Sequence, residues 1–376
     1  MIPFIDLKKQ QERIREDVDA RLKSVLDHGA YIMGPEVKEL EAELGIWANS
    51  KHAISCSSGT DALILALLGH KLKPRQGVIV PSFTFAASAE SIMVLGAVPV
   101  FVDVDPHSFN VDAQNLSAAL QAGIDAGIEV VGIMAVGLFG QPSDMVAIRD
   151  FADKHGLWTM DDAAQSFGAS LHGEVVGTLA DSTCTSFFPA KPLGCYGDGG
   201  ALFTNDDEIA EIAISCRVHG MGKTKYHNER IGMTARLDTM QAAILMSKLS
   251  IFKDELAARQ QVANRYDALL GDVVATPRLI DGATSSWAQY TIKLPKDIKR
   301  DDVQAAMAEK AVPTMVYYPI PMHKQNPYLH CPVANGELAI TDGLCDVVLA
   351  LPMHPYLTEE QSEMVASALT EALRRG

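Results

Sequence analysis

In the first half of the chain, short and wholly apolar runs alternate with stretches of helical spacing. Pro35 opens a helix that sets Val37, Leu40, Leu44 and Trp47 on one face, at i, i+3, i+7 and i+10. HAISC reads as a strand, SSGT as a turn and DALILALLGH as a helix. GVIVPSFTFAASAESIMVLGAVPVFVDVD reads as strand, loop, helix, strand. IEVVGIMAVGLFG is a further buried strand, MVAIRDFADKHG a helix, and LWTMDDAAQSFGA a strand that ends in acid. Strands separated by helices predict an α/β fold, with a mostly parallel central sheet flanked by helices. In such sheets ligands sit beyond the carboxyl ends of the strands, so the chemically interesting turns share one rim. From Thr234 to Leu270 the pattern is helical and long, which suits a link between domains. Beyond it, SSWAQYTIKL, VPTMVYYPIP and a last helix predict a smaller α+β domain. Thr358 and Gln361 stand at capping-box spacing before that last helix. The expected division is a large domain over 1–250, including an N-terminal helical segment, and a small domain over 251–376.

A length of 376 residues exceeds what one hydrophobic core usually organises, which supports two domains. The net charge of −15 argues against a general affinity for nucleic acid or an anionic membrane, while leaving room for a local anion site. Six scattered cysteines form no C-x-x-C pair, and no His/Cys cluster has zinc-like spacing, so no metal is expected. The opening MIPFIDLKKQQERI carries Asp6, Lys8 and Lys9 and lacks the apolar core of a secretion signal. No apolar run approaches the roughly 20 residues that span a bilayer. These features predict a reduced, cytoplasmic protein.

Four turns carry candidate chemistry. Ser57-Ser58-Gly59-Thr60 lies between a strand and a helix, where backbone N–H groups and hydroxyls suit an anion; an ordinary helix cap would look the same. Phe83-Thr84-Phe85 offers an aromatic that could lie flat on a planar ring or simply pack in the core. Asp161-Asp162-Ala163-Ala164-Gln165 ends an apolar strand in acid, fit to cap a helix or to hold a protonated heterocyclic nitrogen. In TSFFPAKPLGCYGDGGALFT, Lys191 follows Phe187, Phe188 and Pro189 and precedes glycines 194, 197, 199 and 200. A desolvated lysine is a neutral nucleophile able to form a Schiff base; a solvated one is a surface residue. Ser186 lies near enough in the chain to serve the other end of one small ligand. Taken in order, an anion site, a flat aromatic, a carboxylate and a Schiff-base lysine describe pyridoxal 5′-phosphate, whose ring becomes an electron sink when its nitrogen is held protonated. No G-x-G-x-x-G follows a first strand, which argues against a dinucleotide-dependent dehydrogenase.

The series SSGTDAL, PSFTF, DDAAQSFGA, SFFPAKPLGCYGDGGA, RLDTMQAAIL and YYPIPMH resembles the DegT/StrS-type sugar aminotransferases, and the resemblance runs nearly end to end. It implies the fold type I architecture of pyridoxal-phosphate enzymes, with transfer of an amino group from glutamate to a nucleotide-linked keto-sugar. SFFPAKPLGCYGDGGA is most similar to the branch that aminates UDP-2-acetamido-2-deoxy-3-oxo-glucuronate for bacterial surface polysaccharides. Carried over by position, Lys191 would be the Schiff-base lysine and proton shuttle, Asp162 the partner of the ring nitrogen, and Gln165 that of the ring hydroxyl. Ser58, Gly59, Thr60 and Ser186 would hold the phosphate, and Phe85 would stack on the ring. The resemblance also implies a homodimer with shared active sites, in which the segment around Thr234 reaches the partner's phosphate. Thr234 stands where most relatives have Asn, a shorter reach. Arg236, Tyr317, Tyr318 and His323 fall where relatives face the sugar nucleotide. Relatives with His in place of the lysine are dehydratases, so Lys191 points to transamination. A 4-keto-sugar aminotransferase acting on GDP- or dTDP-linked sugars, and a non-catalytic sugar-nucleotide-binding regulator, are the alternatives.

Overall fold

The computed structural model describes residues 2–224 and 226–375. In chain order its elements are α1 (Leu7–His28), α2 (Pro35–Trp47), β1 (His52–Cys56), α3 (Gly59–Gly69), β2 (Gly77–Pro81), α4 (Ala86–Val94), β3 (Val98–Val102), α5 (Leu116–Asp125), β4 (Val130–Val136), α6 (Met145–His155), β5 (Trp158–Asp162), a small hairpin of β6 (Ser170–Leu171) and β7 (Glu174–Val175), β8 (Ser182–Ser186), β9 (Gly200–Thr204), α7 (Asp207–Cys216), α8 (Thr239–Leu270), β10 (Tyr290–Lys293), α9 (Arg300–Glu309), α10 (Ala339–Val347), β11 (Val348–Leu351) and α11 (Glu359–Arg375).

Seven strands form one sheet in the order β1-β9-β8-β5-β4-β2-β3. β8, β5, β4, β2 and β3 run parallel, and β9 lies antiparallel between β8 and β1. Two antiparallel steps restore the direction, so the end of β1 reaches the same rim as the ends of β2, β5 and β8. The expected α/β architecture is therefore present, and with it the shared rim. The apolar runs are continuous because these strands are covered on both faces: every residue of β2 and β9 is buried. One core holds Val78, Ile79, Phe101, Ile133 and Met160 with the all-round apolar helix α3, and another places Phe167, Phe203 and Phe252 against α2 and α8.

Pro35 opens α2 as expected, with Val37, Leu40 and Leu44 buried. The long helix starts later than its pattern suggested, at Thr239 rather than Thr234. Thr234 pairs with Val218 and Asp238 with Ile32 in isolated bridges, which hold this stretch extended. α8 then runs unbroken through residue 250, with Ala242 and Leu245 in one core and Val262, Tyr266 and Leu270 in another. This last core joins β10, β11, α9 and α11 with Ile2 from the start of the chain. VPTMVYYPIP forms no extended strand; only Met315 bridges, to Ala350. The capping box is present before α11: Thr358 N donates to Gln361 Oε1 at 3.0 Å, and Gln361 N to Thr358 Oγ1 at 3.2 Å. Among the described residues no helix is long and apolar enough to cross a membrane.

Candidate active site

The rim gathers the turns that the chain pattern singled out. After β1, Ser58 caps α3: its Oγ accepts from Asp61 N at 3.0 Å and lies 3.1 Å from the Asp61 carboxylate. Ser57 also donates to that carboxylate. The Ser58 hydroxyl is thus committed to the helix, while the N–H groups of Gly59 and Thr60 are orphan donors of its first turn. Ser186, at the end of β8, stands against this turn; a Cβ on Gly59 would lie 2.6 Å from Ser186 Cβ. Ser186 Oγ accepts from Phe188 N at 3.2 Å, which leaves its own hydrogen free for an anion. The glycines beyond Lys191 serve the chain itself. A Cβ at Gly194 would strike Phe188 O at 2.5 Å, and one at Gly200 would strike Ser58 O at 2.4 Å. Gly194 and Gly200 thus let β9 and its loop close on backbone.

β5 brings Asp162 to the rim, 5% exposed. Ser88 Oγ donates to its Oδ2 at 2.7 Å and Ala164 N to its Oδ1 at 3.2 Å. Burial raises the Asp162 carboxyl above its usual range; these two hydrogen bonds and the charge of Lys191 oppose the rise. Burial lowers the Lys191 ammonium, against the pull of Asp162. Both groups move toward their neutral forms because desolvation outweighs their mutual attraction. The flanking aromatics do not supply that burial together. Phe187 turns into the core, whereas Phe188 is 52% exposed and holds Lys191 only by its backbone, Lys191 N to Phe188 O at 2.8 Å.

Gln165 Oε1 accepts from Phe139 N at 2.7 Å, and its Nε2 donates to Tyr318 Oη at 3.2 Å, so Tyr318 reaches into the site from beyond α9. Phe85, at the start of α4, is 59% exposed with its ring centroid 6.2 Å from that of Tyr318. Tyr317 packs instead toward Phe4, 6.5 Å between centroids. His323 is turned inward: Ser82 Oγ lies 2.7 Å from its Nδ1 and an Asp342 oxygen 3.6 Å from its Nε2. It ties the loop after β2 to α10, and burial lowers its ring below the ordinary histidine value against the charge of Asp342. Thr234 is exposed, its Oγ1 2.8 Å from His219 Nε2, and the neighbouring half-buried Arg236 has an Nε with no hydrogen-bond partner among the described residues.

Two supporting groups escaped the sequence reading. Ser88 could have been found from its place one helical turn after Phe85. The pair of Glu41 and Arg217 could not, since these residues are 176 apart in the chain. Arg217 Nη1 donates to Glu41 Oε1 at 2.5 Å and to Ser55 O at 2.7 Å, while Glu41 accepts from Ser55 N at 2.9 Å. Arg217 O in turn accepts from Ala235 N, and Ala235 O from Ser57 N. The pair therefore fastens the strand before the anion turn to the base of the loop that carries Thr234 and Arg236.

These residues fit pyridoxal phosphate. Asp162 is a buried carboxylate in no ion pair among the described residues, and a protonated ring nitrogen would give it one. Gly59 N, Thr60 N and the Ser186 hydroxyl could together take the cofactor's phosphate, and Lys191, within electrostatic reach of Asp162, is a desolvated amine able to meet its aldehyde.

The model of the DegT/DnrJ/EryC1/StrS aminotransferase family matches residues 12–370. The chain is 46% identical to a UDP-2-acetamido-2-deoxy-3-oxo-D-glucuronate aminotransferase of Pseudomonas aeruginosa, over 98% of this chain and all of that one. Its fold superposes on the crystal structure of a DegT/DnrJ/EryC1/StrS aminotransferase from Brucella abortus with a TM-score of 0.96 and 44% identity, covering 99% of each chain. A Bacillus subtilis structure with pyridoxamine phosphate bound has a TM-score of 0.88 at 29% identity, over 99% of this chain and 85% of that one. With this match over nearly the whole chain, the protein belongs to the DegT/DnrJ/EryC1/StrS aminotransferase family, pyridoxal-phosphate enzymes that aminate nucleotide sugars.

Proposed function

We propose that the protein moves an amino group from glutamate to UDP-2-acetamido-2-deoxy-3-oxo-glucuronate, a step toward a bacterial surface polysaccharide. The observation that carries the catalytic part is half-buried Lys191 within electrostatic reach of buried Asp162, each drawn toward neutrality by desolvation. The substrate rests on 46% identity over nearly the whole chain to a protein with that activity. When bound, pyridoxal phosphate supplies an electron sink that delocalises the charge left on the amino donor's α-carbon. The protein's own residues do the rest. Gly59, Thr60 and Ser186 hold the phosphate, with Ser58 capping the helix that presents those amides. Asp162 orients the ring by its nitrogen, Gln165 by its hydroxyl, and Phe85 covers one face. Lys191 Nζ would hold the cofactor in the resting enzyme, and its amine would move the proton at the amino donor's α-carbon. An amine held below the ordinary lysine range suits that exchange near neutral pH.

Tyr318 and Arg236 are the substrate-side groups, Arg236 as the cation for a uronate or diphosphate. Tyr317 and His323 lie behind them as supports. We read the active protein as a cytoplasmic homodimer with 1–250 as its cofactor domain and 251–376 as the smaller one. Buried, unpaired cysteines suit a reducing compartment. Phe85, Phe188 and Ile231, exposed at 59%, 52% and 93%, suit a surface that a second copy covers. Thr234, on the same loop as Ile231, would then meet the partner's phosphate.

The test is to incubate the holoprotein and glutamate with UDP-, GDP- and dTDP-linked 3- and 4-keto-sugars and to follow the products by mass spectrometry. Amination of the UDP-linked 3-keto-uronate is expected, with 2-oxoglutarate formed in equal amount. Preference for a GDP- or dTDP-linked 4-keto-sugar would replace the proposed substrate. No amine on any sugar and no 2-oxoglutarate would refute transamination.

A further inference from the structure

We propose that Ser88, backed by Thr84, is a positioning residue that aims Asp162 and keeps the proton it shares with the cofactor on the ring nitrogen. The inference rests on the reading of Asp162 as the partner of that nitrogen. Ser88 lies in the first turn of α4, three residues after Phe85, and is fully buried; Thr84 is 2% exposed. Ser88 Oγ is 2.7 Å from Asp162 Oδ2, and Thr84 Oγ1 is 2.9 Å from Ser88 Oγ. A carboxylate only accepts and a serine has one hydroxyl hydrogen, so Ser88 donates to Asp162. Thr84 must then donate to Ser88. The direction of the chain, Thr84 to Ser88 to Asp162, follows from counting protons.

Among the described residues no other side chain hydrogen-bonds Asp162; its remaining bond is from Ala164 N on the other oxygen. A donated hydroxyl stabilises the charged carboxylate and makes it a weaker base. Opposite a pyridine nitrogen, a weaker base leaves the proton on nitrogen, which is the state that withdraws electrons. The same bond fixes the rotation of the carboxylate, so the turn that supplies Phe85 to one face of the ring also sets its acid partner.

The test uses holoprotein loaded with pyridoxal phosphate labelled with 15N in the ring, at one fixed pH. In the wild type the ring nitrogen should give the pyridinium resonance. In Ser88→Ala it should move toward the free-base pyridine value, with kcat about tenfold lower, the equivalent of one lost hydrogen bond to a charged group. Ser88→Thr keeps a hydroxyl and should hold the resonance near the wild-type position. Thr84→Val should move it in the same direction by a smaller amount. An unmoved resonance in folded, loaded Ser88→Ala overturns the inference. If that variant fails to hold the cofactor, Thr84→Val decides in its place: movement toward free base supports the relay and none refutes it. Asp162→Asn separates the two levels. If it leaves the resonance in place, the assignment of Asp162 to the ring nitrogen fails; if it moves the resonance and Ser88→Ala does not, only the role of Ser88 fails.

Discussion

Asp161, the neighbour of the proposed ring-nitrogen partner, should make the protein less stable as pH rises from about 4 to about 7. It is 0% exposed, and neither carboxylate oxygen has a hydrogen-bond partner among the described residues. Thr183, its register partner on β8, buries a hydroxyl that is equally unbonded. Burial first, and the charge of Asp162 second, push the Asp161 carboxyl from 3.8 up to about 7. Between those two values the folded chain holds a proton that the unfolded chain has lost. Stability therefore falls as pH climbs from about 4 to about 7 and levels off above. A shift of about three pKa units corresponds to at most about 4 kcal/mol. Asp161→Asn keeps the shape and cannot ionise. The free energy of unfolding of the variant, relative to wild type, should rise across that window by up to about 4 kcal/mol and stay constant at higher pH. Urea unfolding of both holoproteins, at equal protein and cofactor concentration and at each pH from 4 to 9, measures it, because other titrating groups cancel in the difference. A difference that is flat over the whole range, or that falls with pH, refutes the reasoning.

Gly59→Ala places a methyl 2.6 Å from Ser186 Cβ, and should weaken cofactor affinity by roughly ten- to a hundredfold in an equilibrium titration, with little change in far-UV dichroism. Glu41→Gln leaves Arg217 buried without its counter-charge and should cost about 3–5 kcal/mol in urea unfolding, a loss that Glu41→Gln with Arg217→Met partly recovers. Thr358→Ala removes the hydroxyl that caps α11 and should cost about 1 kcal/mol while turnover is unchanged. Lys191→Ala should lose both the covalent hold on the cofactor and turnover. If Arg236 serves the neighbouring subunit, mixing Lys191→Ala with Arg236→Ala should restore up to about a quarter of wild-type activity, and no restoration would place Arg236 in its own subunit's site.

The sheet was legible because its strands are buried on both faces and read as unbroken apolar runs, each ended by a turn of distinct chemistry. The rim followed from one rule about parallel strands, and Ser186, Asp162 and Lys191 fall on it. The start of α8 was not legible, because the composition of residues 234–238 suits a helix and only bridges to Ile32 and Val218 hold them extended. His323 shows a second limit. A histidine after a YYPIP stretch looks the same whether it faces a ligand or fastens a loop, and its partners Ser82 and Asp342 come from distant elements. Glu41 and Arg217 show the third: an ion pair between α2 and the C-cap residue of α7 has no local signature.

The two adjacent acids at the end of β5 show how one strand separates a proton from a charge. Side chains alternate along a strand, so Asp161 and Asp162 leave the sheet on opposite faces. Asp162 meets Ser88 Oγ and Ala164 N, two donors that hold an anion; Asp161 meets none. The charge of Asp162 adds to the cost of ionising Asp161, an acid with no donor to hold its anion. Below about pH 7 Asp161 keeps its proton, so the pair carries at most one negative charge where two stand in the sequence. A second carboxylate charge on that pair would draw the lysine back toward its ammonium form and weaken it as a base. The bare surroundings of Asp161 thus serve the chemistry at Lys191 as much as the donors around Asp162 do.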